Sequence, residues 1–577
     1  MKSSKCLLAV SLVVCLPLLA LAADEDVDRM IVRDMPHHIM MQQYGRIPGQ
    51  LLTNDQLAEL ASLQFTGDTL KLLAILVEWS DRPGTYPWQT FDSTLFSRDI
   101  RPTGSVADYI DEVSYGQMAV AGGVVDWYDA GKYKPNWGSS DFTELLYILD
   151  PVIDYSQYDG DGDGIVDAIC FVRSGNGQED SGDPDDIWSY AVTYYSPFGP
   201  FDGVMIQHWN TSPETRPLRD PEYPLEFSGV DTLSRIRVFA HELAHNFGLP
   251  DLYDYDDKLV TETYYTPDDN NDHPLVDWCL MGYGGYGILS LGMDIPAHLC
   301  GWSKMKMEWI EPITLEGEFE DLIIYDIETH TDSSFYMLPI DPSEGEYFLL
   351  EYRNPASAGK FDKFDSDFCA YFWPDLTYGN DPLDRGLLIT HVHDSLVPSF
   401  DESRMNNGTP EYPHYVVAVE DAGYDPARDY TYNPEGRVTD SAQWWYPYET
   451  RKGALFSDDV VGQSEFGPST VPNSDGYAGP TGIYIRVDSI VGDRMFVYVN
   501  HTGGSGSCCN LRGDLDGNEQ VDVLDIDFFI EYLYRSGPAP DCEEEADVDG
   551  SGQVDVLDID GFIDWLYRGS DPPVPCP

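Results

Sequence analysis

Basic residues are scarce in this 577-residue chain: 33 Lys and Arg stand against 101 Asp and Glu, a formal charge of −68 at pH 7. Phosphate backbones and anionic membrane surfaces repel such a chain, which argues against nucleic acid as a partner. Long apolar runs are missing beyond the N-terminus, where no stretch reaches the ~18 continuous apolar residues of a membrane span. Cysteine is absent between Ala23 and Ile169, so a pro-segment there has no thiolate with which to silence a metal. What is present is 42% hydrophobic and 13% aromatic content, which suits a folded protein. At ~100–200 residues per domain, the length calls for several domains. The surplus carboxylates serve solubility or ligate hard cations such as Ca²⁺, which takes oxygen ligands.

The one extended apolar run opens the chain. In "MKSSKCLLAVSLVVCLPLLALAADED", Lys2 and Lys5 precede it and Ala20-Leu21-Ala22 closes it. This is the pattern of a secretory signal peptide over residues 1–22, cut after Ala22 or Ala23, and the expectation is a secreted, extracellular protein. Removal of Cys6 and Cys15 leaves eight cysteines. Cys508, Cys509, Cys542 and Cys576 cluster late, where export permits disulfides. Cys170, Cys279, Cys300 and Cys369 are scattered. Residues 23–68 are polar apart from the helical-looking "TNDQLAELASL", and read as a pro-segment or as a simple N-terminal arm.

From Leu70 the pattern alternates between strand and helix. "LKLLAILVEWSD" (70–81) and "GIVDAICFVRSG" (164–175) read as strands. "GSVADYIDEVSYGQM" (104–118) reads as a helix capped by Ser105, and "DTLSRIRVFAHELAHNFG" (231–248) as a helix ending near Gly248. One α+β domain is expected over 69–311. After Pro312 short strand patterns take over, among them "DLIIYDIE", "SFYMLPI", "EYFLLEYR", "RGLLITHVHD", "HYVVAVED" and "TGIYIRVDSIVGDRMFVYV". They predict an all-β, sandwich-like domain over 312–500. His391 and His393 alternate along one of these strands, share a face, and are assigned to structure. "HTGGSGS" (501–507) is a flexible linker. Beyond it, "VLDIDFFIEYLYR" at Val523 and "VLDIDGFIDWLYR" at Val556 match at ten of thirteen positions, an internal repeat offset by 33 residues.

The chemistry concentrates in "HELAHNFGLPDLYD" (241–254). Residues four apart share a helix face, so His241 and His245 can offer imidazole nitrogens to one ion. Gly248 can turn the chain sharply and bring Asp251 back as third ligand. Three protein ligands with a position left for water describe catalytic zinc. Glu242, beside the first histidine, would activate a zinc-bound water as general base and pass its proton to a leaving amine. H-E-x-x-H alone also arises by chance; Gly248 and Asp251 at metzincin spacing narrow the reading. Downstream, in "DWCLMGYGGYG", Met281 followed by Gly282 fits the methionine turn of metzincins. Tyr283 and Tyr286 are read as packing or surface residues rather than oxyanion stabilisers.

These residues resemble the immune inhibitor A family of secreted bacterial metalloproteases, within the metzincins. "LVEWSD", "GSVADYIDEVSYGQM", "YDGDGDGIVDAICFVRSGNGQE", "DDIWSYA", "WCLMGYG" and "PAHLCGWSK" look like the family's catalytic domain in matching order. "EYFLLEYRN", "GLLITHVHD" and "VVAVEDAG" are similar to its β-rich domain, and the likeness runs from about Leu70 to Val499. The resemblance implies a metzincin-like α+β catalytic domain, zinc on His241, His245 and Asp251, catalytic Glu242, and protein substrates. Cys279 departs from the pattern, standing where a polar or acidic residue is expected. Arg173 stands where such proteins often carry a histidine.

Calcium sites follow from the acidic repeats. "DGDGDGIVD" places Asp159, Asp161, Asp163 and Asp167 at EF-hand-like loop positions, although Cys170 takes the place of the closing acid. In the late repeats, Asp514, Asp516, Asn518, Asp522 and Asp525 form one loop, and Asp547, Asp549, Ser551, Asp555 and Asp558 the other. Glu519 replaces the loop glycine that Gly552 keeps. Each loop runs into a helix, and the pair resembles a small all-α dockerin module (508–577). That resemblance implies calcium binding and docking onto a cohesin-like partner; a self-contained stability cap has the same signature. The alternative to a zinc endopeptidase is a non-catalytic extracellular adhesin on a protease-like fold, which the intact Glu242 disfavours. A zinc hydrolase acting on non-protein substrates is a third reading.

Overall fold

The protein is described by a computed structural model that places residues 30–33, 67–101, 103–131, 139–219, 227–253, 275, 278–282, 296–328, 330–354, 385–396, 415–420, 422, 456–457, 463–470 and 472–501. Towards the C-terminus it places 512–515, 521, 523–535, 537, 540, 543–546, 548, 554 and 556–568. Strands β1 (Met30–Arg33), β2 (Thr69–Glu78), β3 (Ala119–Asp129), β4 (Ala168–Asn176), β5 (Tyr190–Phe201), β6 (Val204–Arg219) and β7 (Phe227–Leu233) form one seven-stranded sheet. Its order is β1-β5-β6-β4-β2-β3, with β7 paired to β6. The centre, from β3 through β2 and β4 to β6, is parallel; β5, β1 and β7 join antiparallel. Thus a segment of the N-terminal region, Met30–Arg33, contributes an edge strand to this sheet.

Both faces of the sheet are covered. Helices α1 (Trp88–Phe96), α2 (Val106–Val113), α3 (Ser139–Leu149) and α4 (Ile236–Asn246) supply the cover. Leu70, Leu72, Ala74 and Leu76 of β2 pack with α1, α2 and α4, whereas Leu73, Ile75 and Val77 pack with Phe142, Leu145 and Leu146 of α3. A parallel strand buried on both faces reads as a continuous apolar run, which is why "LKLLAILV" shows no alternation. Ser105 caps α2 as expected: its hydroxyl accepts the Asp108 N–H, and the Asp108 carboxylate returns a bond to the Ser105 N–H. The helix anticipated from Asp231 starts only at Ile236, because Asp231, Thr232 and Leu233 pair with Pro217, Arg216 and Thr215 of β6. Sheet pairing there overrides local helical spacing.

After the short helix α5 (Gly301–Lys306), strands β8 (Ile313–Thr314), β9 (Gly317–Tyr325), β10 (Phe335–Asp341), β11 (Glu346–Arg353), β12 (Gly386–His393), β13 (Val417–Val419), β14 (Glu465–Phe466), β15 (Tyr484–Val491) and β16 (Arg494–His501) build two sheets. Their orders are β13-β12-β11-β10-β8 and β14-β15-β16-β9. Phe348, Leu350, Leu387 and Ile389 of the first share a core with Phe466, Ile485, Val497 and Val499 of the second. The alternate residues Tyr347, Leu349, Leu388 and Val392 pack into the core of the seven-stranded unit. The β11–β12 layer is therefore apolar on both sides.

The C-terminal repeats give α6 (Val523–Arg535) and α7 (Val556–Ile563). Their small core pairs equivalent residues of the two repeats: Leu515 with Val548, Ile526 with Ile559, Phe529 with Phe562. The Phe529 and Phe562 rings meet edge to face at 6.1 Å. The described chain is mixed α/β, with three sheets and few helices. No helix among the described residues is long and apolar enough to cross a membrane.

Candidate metal centre

Helix α4 carries His241, Glu242 and His245, all buried against the seven-stranded sheet. Its end explains how Asp251 joins them. The Gly248 N–H bonds the His245 carbonyl at 3.0 Å, and the Leu249 N–H bonds the Ala244 carbonyl at 3.2 Å. This is a Schellman closure, with Gly248 in the left-handed region at φ 93°. An L side chain is strained there, so glycine is required. The reversed chain brings Asp251 Oδ1 to 3.0 Å from His241 Nε2 and 3.3 Å from His245 Nε2.

The ring orientations are set by backbone carbonyls. His241 Nδ1 donates to Leu280 O at 2.8 Å, and His245 Nδ1 donates to Leu249 O at 2.7 Å. A proton held at Nδ1 leaves the Nε2 lone pair for a metal. With both Nδ1 protons committed to carbonyls, two imidazole lone pairs and a carboxylate converge on one point. That arrangement calls for a cation, and two imidazoles with a carboxylate are a zinc donor set.

Met281 lies in a turn closed by the Gly282 N–H on Cys279 O at 3.0 Å, and its carbonyl accepts the Leu252 N–H at 2.7 Å. The turn therefore grips the segment that carries Asp251, and its Leu280 carbonyl braces His241. Sequence reasoning passed over both bracing carbonyls, which have no residue-type signature. It also gave no role to Tyr253, whose ring stacks over His241 at 6.5 Å. Cys279 is buried, with its sulfur accepting the Cys300 N–H at 3.3 Å and lying 3.8 Å from Ser303 Oγ. Cys170, Cys279 and Cys300 are free thiols. Arg173 is buried on β4, bonded to Ile187 O and Thr211 Oγ1, and 3.8 Å from Glu179. Tyr283 and Tyr286 lie outside the described residues, as do Cys369, Cys508, Cys509, Cys542 and Cys576.

Of the acidic loop before β4, Asp159, Asp161 and Asp167 bring one oxygen each within 4.8 Å of one another. Asp163 is outside this group and accepts the Ile165 N–H at 2.7 Å. Asp167 also ties the loop to the sheet, accepting from Lys71 and Gly160 N–H at 2.7 and 2.8 Å. In the C-terminal loops Asp514, Asp525 and Asp558 are buried. Asp525 Oδ1 accepts the Leu515 N–H at 2.8 Å. Asp516, Asn518, Asp522, Asp547, Asp549, Ser551 and Asp555 lie outside the described residues.

With this geometry in hand, comparison with known proteins is informative. Residues 149–310 match the family described as immune inhibitor A peptidase M6, catalytic domain. The chain is similar to the immune inhibitor A metalloproteases. Residues 512–563 match the dockerin type I domain. Immune inhibitor A of Bacillus thuringiensis subsp. alesti is 24% identical over 320 residues, covering 46% of this chain and 43% of that protein. Pre-pro-metalloprotease PrtV of Vibrio cholerae serotype O1 (strain M66-2) is 24% identical over 360 residues, covering 49% of this chain and 37% of that protein. The chain thus aligns with less than half the length of either relative. The M6 peptidase family implies a metal, and dockerin domains bind calcium.

Proposed function

We propose that this protein is a secreted zinc endopeptidase with a metzincin-like catalytic domain over 69–311 and a calcium-binding docking module over 508–577. The observation that carries the reading is the convergence of His241 Nε2, His245 Nε2 and Asp251 Oδ1, with both imidazoles oriented by carbonyls. His241, His245 and Asp251 hold the ion. When bound, zinc polarises a carbonyl and acidifies water. Glu242, one residue from His241 and buried on the same helix, accepts a proton from the attacking water. It returns that proton to the leaving amine as the peptide bond breaks. The Schellman turn and the Leu280 brace keep the ligands in place through the cycle, so little reorganisation is needed at the reacting centre.

The C-terminal match supports calcium on the loops that begin at Asp514 and Asp547, and docking onto a cohesin-like partner. Calcium on Asp159, Asp161 and Asp167 would fix the loop that leads into β4. The N-terminal apolar run supports export.

Casein cleavage by the calcium-loaded protein, measured beside Glu242→Ala with zinc content recorded for both, tests the reading. Activity is expected to fall about 10²–10⁴-fold with zinc retained. If neither protein cleaves after the N-terminal segment is removed, an adhesin or a non-protein substrate takes precedence.

A further inference from the structure

A second set of metal-type ligands lies where the β-rich strands meet the seven-stranded unit. Glu112 is on α2, His298 lies just before α5, and Glu328 follows β9. One ligand atom from each lies within 4.8 Å of the others. His298 Nε2 is 2.9 Å from Glu328 Oε1, and both side chains are at most 1% exposed. Yet among the described residues neither ring nitrogen of His298 closes a hydrogen bond, and the Glu328 carboxylate has only Glu112 and the His298 ring close by. Buried polar atoms are normally satisfied. Here they approach one another closely without the alignment a hydrogen bond needs, as ligands around a common point do.

Charge balance favours a cation at that point. Glu112, Asp326, Glu328 and Glu351 surround this region, and Lys304 and Arg353 are its basic residues. Both bases are engaged elsewhere. Lys304 Nζ donates to the Tyr115 hydroxyl at 2.8 Å, and Arg353 bonds Trp278 O at 2.8 Å and Glu351 at 3.1 Å. The carboxylates outnumber the bases, and a cation among them offsets the excess. A proton shared between the two glutamates would answer the carboxylates but leave His298 Nε2 unused. Imidazole beside carboxylates suits zinc and similar transition metals better than calcium, which takes oxygen ligands.

We propose that Glu112, His298 and Glu328 form a second divalent-metal site, of zinc type, that clamps the β-rich strands onto the seven-stranded unit. The clamp is wired to the first centre through one residue. The Leu280 N–H bonds the His298 carbonyl at 3.3 Å, while the Leu280 carbonyl takes the His241 Nδ1 proton. Fixing His298 therefore fixes the peptide that orients a ligand of the first centre.

Zinc counted by mass spectrometry on the full chain, purified in excess calcium, tests the site. The wild type is expected to hold about two zinc ions, and His298→Gln and His241→Ala about one each. His298→Gln should also lower the thermal midpoint only when zinc is present. A wild-type count of about one, unchanged in His298→Gln, overturns the second site. A count of about one that is lost in His298→Gln and kept in His241→Ala upholds this site and overturns the first. Should His298→Gln fail to fold, Glu112→Gln is counted in its place: the loss of about one zinc upholds the second site, and an unchanged count overturns it. A rise in thermal midpoint for Glu328→Gln, with zinc content unchanged, assigns the cluster to a shared proton and overturns the metal.

Discussion

The His241 Nδ1 proton is bound by the Leu280 carbonyl at 2.8 Å, 39 residues away in sequence, and this contact decides which nitrogen faces Asp251. Because the brace is a backbone carbonyl, substituting the Leu280 side chain leaves it in place. Of the proposed metal ligands, Asp251 is the one whose charge a substitution can remove. Asp251→Asn keeps the shape but discards the charge that holds two imidazoles around an ion. Even partners outside the ligand set cost 10–100-fold in metal affinity when lost, so a loss beyond about 100-fold is expected. Competition with a zinc chelator measures it, and an unchanged affinity would remove Asp251 from the ligand set.

The C-terminal module depends on Asp525 for two reasons. Its carboxylate is a proposed calcium ligand, and its Oδ1 accepts the buried Leu515 N–H at 2.8 Å. Asp525→Ala leaves that N–H without its acceptor, at about 1–3 kcal/mol. A small core of this kind has only about 3–5 kcal/mol to lose. Calorimetry of the full calcium-loaded chain should show the module's transition lowered or abolished, with the transition of the main body unmoved. A wild-type thermogram from the variant would show that neither role matters.

Legibility in the sequence followed the range of the interactions. "HELAHNFGLPD" was readable because helix spacing, Gly248 and the return to Asp251 all act within about one turn of chain. Helix α6 coincides with its repeat segment, since the apolar period that sets it lies within it. What escaped is held by partners far away. Asp231 to Leu233 joined β7 because β6 offered pairing. The Leu280 brace is a main-chain atom. Glu112, His298 and Glu328 come from three distant segments whose spacing has no pattern, and only the fold brings them together. The departure at Arg173 became intelligible only with Glu179 and Ile187 in view.

That departure makes its own prediction. Arg173 and Glu179 are both fully buried, with Arg173 Nη2 3.8 Å from Glu179 Oε1. Glu179 also accepts from the Ser189 hydroxyl and N–H. Removing one partner of such a pair leaves an uncompensated charge in the interior, which costs about 3–5 kcal/mol. Glu179→Ala should therefore lower denaturant stability of the main body by about that amount, whereas replacing both partners with apolar residues should cost less. Equal losses from the single and double variants would show that packing, not charge, sets the effect.

The β-rich strands carry a pH-dependent contact at His391. Its ring stacks on Tyr477 at 4.2 Å and bonds Glu346 at 2.8 Å and Glu420 at 3.2 Å, while the His393 ring lies 5.4 Å from that of Tyr477. Burial would lower the imidazole, but Glu346 and Glu420 outweigh it and raise it above its ordinary value. Glu346 responds in the opposite sense: burial would raise it, yet His391 and the Tyr477 N–H hold it low. A histidine raised on folding contributes stability that is complete below the unfolded value of about 6.5 and is lost as pH rises through the folded value. The depressed Glu346 contributes above its unfolded value of about 4.3 and loses that contribution as pH falls through its folded value. The pair is thus strongest between these limits, and the β-rich strands should weaken on passing from mildly acidic to alkaline solution. His391→Gln retains one hydrogen bond without the charge, so its unfolding midpoint should be lower near pH 6 and flatter across pH 6–9. Parallel midpoint-against-pH curves for wild type and variant would show that folding leaves the imidazole unshifted and that Glu346 and Glu420 do not favour its charged form.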